Sequence, residues 1–226
     1  MVINRLRNLK PFDLTYTSSI FAALIWYQSI PTFMQNLFPS LTWSKKGKEK
    51  TVYLTFDDGP HPQITNWVMD CLEQNGLKGT FFCVGDNARR YPETLQSIKS
   101  RGHVLGNHTM HHIKGWNHTN EDYLADVEKC AEFVDSKLFR PPYGRIKPSQ
   151  VRALKNDYQI VMWSLLSCDF DKNLDQASAI DGLKRRTKNG SIVVFHDSEK
   201  AEKNLKHLLP QYIEFLNQEG YLCKTL

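Results

Sequence analysis

The sequence predicts an α/β protein with a mostly parallel sheet covered by helices. Two observations carry this reading. After residue 50, short apolar strand-like runs alternate with amphipathic helical stretches. Polar, chemically capable side chains also fall at the C-terminal end of one strand after another, where the active sites of barrel proteins lie. The scale agrees: 226 residues, 41% hydrophobic and 23% charged, is ordinary globular composition for one sizeable domain.

Taken in order, the strand candidates are 51–56 (TVYLTF), 79–84 (GTFFCV), 103–106 (HVLG), 138–140 (LFR), 159–165 (QIVMWSL), 191–195 (SIVVF) and 221–225 (YLCKT). Helical periodicity fills the intervals at 63–75, 87–101, 120–137, 148–156, 175–188 and 201–218. Thr119 and Asn120 are candidate caps, Pro148 suits a first helical turn, and Gly76, Gly102, Gly190 and Gly220 follow helix ends. The sequence shows no internal repeat and no low-complexity tract.

Charge and cysteine content narrow the class. The net charge of +5 is a mild surplus with no dense Arg/Lys stripe interleaved with aromatics, so nucleic acid is not an expected partner. The five cysteines, Cys71, Cys83, Cys130, Cys168 and Cys223, form no C-x-x-C and lie mostly in apolar stretches, which predicts buried free thiols. Residues 1–50 read as an N-terminal extension and 51–226 as the catalytic domain. The extension opens with the basic MVINRLRNLK and carries no charged side chain from Leu14 to Ser44. Its apolar centre at 20–27, IFAALIWY, is short for a spanning helix. Two readings stay open: a membrane anchor, with a cell-envelope location, or a packed helix followed by the linker SKKGKEK at 44–50, which leaves a cytoplasmic location possible.

Four motifs carry chemistry. TFDDGP at 55–60 ends an apolar run with two like charges; it is either a solvated turn or a site where a metal holds one carboxylate and leaves the other free for proton transfer. GNHTMHH at 106–112 places His108 and His112 four apart, a spacing that on one helical turn points both imidazoles the same way. His111 is not excluded by spacing alone. Two histidines and an aspartate make a familiar catalytic metal set. FRPPYG at 139–144 is a rigid loop in which Arg140 can orient a carboxylate or simply sit at the surface. VVFHDS at 193–198 ends a strand with His196, either a proton donor or a structural histidine.

TFDDGP, HTMHH, RPPYG, WSLLSCDF and VVFHD occur in the order and spacing of the polysaccharide deacetylase family, which the chain resembles over residues 50–223. That family contains chitin, chitooligosaccharide and peptidoglycan N-acetylglucosamine deacetylases. The resemblance implies a distorted, incomplete (β/α) barrel of about seven parallel strands. It also implies one divalent metal ion, usually zinc, on Asp58, His108 and His112. Asp57 matches the general base, Arg140 the residue holding that base, Tyr143 the backbone N–H that stabilises the oxyanion, and His196 the general acid. Val194, Phe170 and Pro142 match substrate contacts, Val194 facing the acetyl methyl.

Two positions depart from the family. Leu166 stands where an Asp supports the catalytic histidine, and Phe170 where a Trp lines the pocket. Asp169 and Asp197 are then the carboxylates available to tune His196. The activity implied is metal-dependent removal of N-acetyl groups from an N-acetylglucosamine-containing glycan, with release of acetate. The alternatives are an amidohydrolase of another N-acylated amine or lipid-linked sugar, and an inactive carbohydrate-binding descendant.

Overall fold

Strand alternation decides which side chains meet. In the computed structural model, which describes residues 29–30, 32–45 and 47–226, β1 (Thr51–Asp57) is buried along its whole length. Its Val52, Leu54 and Phe56 pack outward beneath the helices, whereas Tyr53 joins Phe82, Leu138, Val161 and Ile192 in an inner cluster. On the outer face Phe56 stacks on Phe81 at 4.9 Å and on Phe195 at 6.1 Å. Such pairs each contribute about 0.5–1.5 kcal/mol beyond their burial.

Around β1 are arranged β2 (Thr80–Cys83), β3 (Val104–Asn107), β4 (Leu138–Phe139), β5 (Gln159–Ile160), β6 (Leu165–Leu166), β7 (Ser191–His196) and β8 (Leu222–Cys223). The sheet runs β5-β4-β3-β2-β1-β7-β6, every pairing is parallel, and β8 lies beside the start of β1. This is the incomplete barrel that the resemblance implied, with β5 and β6 as its two open edges. A short helix, α1 (Thr32–Leu37), precedes the sheet, and the helices that cover it are α2 (Ile64–Gln74), α3 (Gly85–Arg90), α4 (Pro92–Ser100), α5 (Asn120–Ala131), α6 (Pro148–Leu154), α7 (Gln176–Arg186) and α8 (Glu202–Gln218).

Three sequence expectations are corrected. The strand expected at 159–165 is two short strands on opposite edges, because the carbonyls of Val161 and Met162 turn inward to accept from Arg140 at 3.3 and 3.0 Å. The helix expected at 87–101 is α3 and α4, broken at Tyr91 (φ −126°, ψ 58°), whose conformation is restricted by the proline that follows. The helix expected at 120–137 ends at Ala131, after which the chain turns so that Val134 is buried. Its cap is Thr119, which accepts from Asp122 N at 3.1 Å.

The segment before β1 stitches the open edges. Thr42 exchanges backbone hydrogen bonds with Ile160 and Met162, Ile30 N donates to Ser164 O at 3.1 Å, and Lys45 N donates to Gly190 O at 2.9 Å. The apolar run at 20–27 lies outside the described residues. Among those described, no helix is long and apolar enough to cross a membrane. All five cysteines are free, four of them buried.

Gly106 is a tight point of the inner face: a Cβ there would lie 2.3 Å from the Phe82 ring. Gly106→Ala is therefore expected to lower stability by about 1–3 kcal/mol through overpacking. Chemical denaturation checks this; an unchanged midpoint would show that Phe82 has room to move.

Candidate active site

The period of two that buries Tyr53 also sends Asp57 inward, and the same alternation carries Arg140 after Leu138 and His196 after Ile192 and Val194. Asp57 is the register partner of His196 across β1 and β7. The loops that follow these strand ends bring the remaining groups. Backbone strain concentrates there: Asp58, Thr109, His112 and Tyr143 all adopt positive φ (79°, 63°, 54° and 59°).

Asp58, His108 and His112 converge, with their ligand atoms all within 4.8 Å of one another. Asp58 Oδ1 lies 3.1 Å from His112 Nε2 and 3.7 Å from His108 Nε2. The His108 Nδ1–H donates to Arg140 O at 2.7 Å, because a carbonyl can only accept, and this leaves the Nε2 lone pair facing Asp58. Burial pushes His108 down to about 4 against the opposing charges of Asp57 and Asp58, so its imidazole is neutral at pH 7, as a metal ligand must be. For Asp58, burial favours the neutral acid, but the His112 hydrogen bond and the charges of His196, His112 and His108 outweigh it. The carboxyl is held below the ordinary carboxylate range. A charged oxygen and two imidazole nitrogens at this spacing fit a divalent cation with open positions.

The helical turn expected for His108–His112 is corrected: this segment is a loop, and its left-handed residues produce the convergence. Asn107 Oδ1 accepts from Thr109 N at 2.9 Å, and Thr109 Oγ1 accepts from Ile113 N at 3.2 Å. His111 turns away, both its N–H and its ring held by the Asp126 carboxylate.

Asp57 is bound on the other side. Arg140 Nη1 donates to its Oδ1 at 2.7 Å and to Thr55 Oγ1 at 2.8 Å, and the guanidinium lies 4.1 Å from the Phe82 ring centroid. Arg140 is fully buried, so the surface-arginine reading is overturned. Adjacent aspartates thus serve different partners.

His196 is gripped by Asp169, whose Oδ1 accepts from Nδ1 at 2.7 Å and whose Oδ2 accepts from the backbone N–H at 2.8 Å. Burial alone would lower the pKa of this imidazole. The Asp169 charge and hydrogen bond, with the charges of Asp58 and Asp57, instead raise it to about 9. Of the two carboxylates available to tune His196, Asp169 does the holding, while Leu166, the position where a supporting Asp was expected, pairs with Val194 at the sheet edge. Asp197 does something else. Its carboxylate accepts from Gly59 N at 3.1 Å and Thr65 Oγ1 at 2.5 Å, clamping the turn that carries Asp58.

The Phe170 ring meets the His196 ring edge-on at 5.0 Å. Val194 and Pro142 are buried, and Tyr143 is 55% exposed, its ring 4.7 Å from that of His112. Sequence reasoning missed Thr55, Thr65, Asn87 and Asp126. Only Thr55 carried a local signal, two residues before Asp57 on the same strand face. Asn87 Nδ2 donates to Asp58 O at 2.7 Å from a distant helix, a contact no local pattern announces.

Because its folded-state pKa is raised, His196 contributes stability that is fully present below about pH 6.5, its ordinary value, and is lost as pH rises through about 9. Asp169→Asn is expected to move the His196 NMR titration down toward the ordinary range. Leu166→Asp should move it far less, and the reverse ranking would refute the assignment of Asp169.

Comparison with known proteins gives the family and supports the fold. A family model described as polysaccharide deacetylase matches residues 44–163. Peptidoglycan-N-acetylglucosamine deacetylase of Bacillus cereus is 32% identical over 193 residues, 82% of this chain and 91% of the relative. Chitooligosaccharide deacetylase of Azorhizobium caulinodans is 29% identical over 157 residues, 66% and 74% of the two chains. A crystal structure of a peptidoglycan N-acetylglucosamine deacetylase superimposes with a TM-score of 0.75 at 28% identity, over 83% of this chain and 91% of that one. In motif order and fold alike, the chain belongs to the polysaccharide deacetylase family of amide-bond hydrolases.

Proposed function

We propose that this protein removes the N-acetyl group from N-acetylglucosamine units of a cell-wall glycan of the peptidoglycan type, releasing acetate. A substrate of that kind would put the enzyme in the cell envelope. The observation that carries the reading is the placement of two acid–base groups, Asp57 and His196, on register-paired strand ends beside the Asp58–His108–His112 triad. The triad would hold one divalent cation, with zinc the expected ion for a His₂Asp set. When bound, such a cation supplies Lewis acidity, polarising the amide carbonyl and acidifying the attacking water.

The remaining work falls to side chains. Asp57, oriented by Arg140, accepts the proton of the attacking water. Tyr143 offers its backbone N–H to the developing oxyanion. His196, protonated through its bond to Asp169, delivers the Nε2 proton to the departing sugar amine, which would otherwise be too basic to leave. Val194, Phe170 and Pro142 form the wall against which the acetyl group and sugar are placed.

The decisive experiment measures acetate release from peptidoglycan, chitooligosaccharides and simple N-acetylated amines, before chelation, after it, and after zinc is restored. Release from the glycans that chelation abolishes and zinc restores is expected; release from simple amines alone would contradict the reading. Asp58→Asn should lose bound metal, whereas Asp57→Asn should retain it and lose about 10²–10⁴ in kcat. Equal metal loss in both variants would overturn the division between the two aspartates.

A further inference from the structure

We infer that Trp116, Arg145 and Lys114 form a second sugar subsite at the rim of the mouth, built for a neighbouring sugar that carries a carboxylate. The inference rests on the deacetylase reading above and names the substrate class within it.

Two loops make this rim, and they are locked together. Gly115 N donates to Arg145 O at 2.9 Å, and the Gln150 side chain bridges Gly115 O and Lys147 N at 3.0 and 2.8 Å. A Cβ on Gly115 would lie 2.4 Å from Gln150 Oε1 and 2.8 Å from Arg145 O, so the loops approach as closely as backbone allows. Trp116 rides on this joint. Its Nε1–H donates to Ile146 O at 3.1 Å, which uses the one polar atom of the indole. The side chain nevertheless remains 57% exposed. An indole fixed in advance and left open is suited to stack on the C–H face of a sugar, since little ordering entropy remains to be lost.

The cations give the second half of the recognition. Lys114 Nζ sits 4.5 Å from the Tyr143 ring centroid, and Arg145 sits 5.4 Å from that of Trp116. Lys114 and Arg145, like Arg152 and Arg185 elsewhere, meet no carboxylate within ion-pair distance among the described residues, unlike Arg89, Arg90, Arg101 and Arg140; what sets the first two apart is that they sit on aromatic rings beside the triad. The Tyr143 ring touches the His112 ring, so this patch runs directly into the metal-binding triad. Aromatic faces flanked by two cations without carboxylate partners match a glycan that alternates N-acetylglucosamine with a carboxylate-bearing sugar, the condition met by peptidoglycan strands whose lactyl carboxyl is free of a peptide stem. A neutral chitooligosaccharide would use the stacking face and leave the cations unanswered.

The test compares kcat/KM for a peptidoglycan-derived tetrasaccharide and for chitotetraose, with calorimetric affinities for both. The wild-type protein is expected to prefer the anionic substrate, and added salt should erode that preference. The double variant Lys114→Gln/Arg145→Gln should reduce the preference about fivefold, mainly through KM. Trp116→Ala should raise KM for both substrates about tenfold and leave kcat nearly unchanged. Lys114→Gln/Arg145→Lys should restore part of the preference lost in Lys114→Gln/Arg145→Gln, a rescue that a purely structural role would not give. An unchanged preference in the double variant, or an unchanged affinity for both glycans in a folded Trp116→Ala protein, overturns the subsite while leaving the deacetylase reading intact. Wild-type protein that releases acetate from neither glycan overturns the deacetylase reading, and the subsite with it.

Discussion

A guanidinium buried at the centre of a parallel barrel constrains everything around it. Arg140 has no exposed surface, and burial presses its pKa down against the charge of Asp57. Such a group is tolerable only when its donors are satisfied, and removal of one partner from a buried ion pair costs about 3–5 kcal/mol. The barrel meets the demand from four directions: Asp57 and Thr55 on β1, and the carbonyls of Val161 and Met162. A buried threonine in an apolar strand and a strand that breaks in two both follow from housing this one side chain.

That constraint also explains how neighbouring aspartates come to do different work. Asp57 is the last residue of β1 and obeys strand alternation, so it faces inward to Arg140. Asp58 leaves the strand with φ 79°, which swings its carboxylate toward His108 and His112. Left-handed residues cost about 1–2 kcal/mol each, and the surrounding contacts hold them in place. Asp197 clamps Gly59, Asn87 holds the Asp58 carbonyl, and Asp126 fixes the loop between the two histidines. Strand ends deliver the acid–base groups; strained, externally clamped loops deliver the metal-binding set.

Much of this was legible in the sequence, for physical reasons. Strand–helix alternation fixed the class of fold, and period-two patterning put Asp57 and His196 at strand ends. The motifs gave the triad its members, although the helical geometry offered for His108 and His112 was wrong, because spacing reports separation and not backbone conformation. The break between Ile160 and Leu165 could not be read locally, since its cause is a guanidinium about twenty residues away. The same holds for Asp169: aligned motifs pointed to Leu166 as the supporting position, but which carboxylate reaches His196 depends on the path of the chain after β6. Asp126 and Asn87 carried no local signal, because their roles exist only after the loops have folded onto distant helices.

The central claim is that Arg140 and Asp57 form one energetic unit at the heart of both the fold and the site. A double-mutant cycle of Arg140→Met and Asp57→Asn, read by equilibrium denaturation, tests it most directly. The account predicts that Arg140→Met alone is severely destabilising because it strands a buried carboxylate. Adding Asp57→Asn should then recover part of the loss, giving a coupling energy of about 1–3 kcal/mol. Additive effects, with no recovery in the double variant, would mean that the two residues are stabilised independently and would contradict the account.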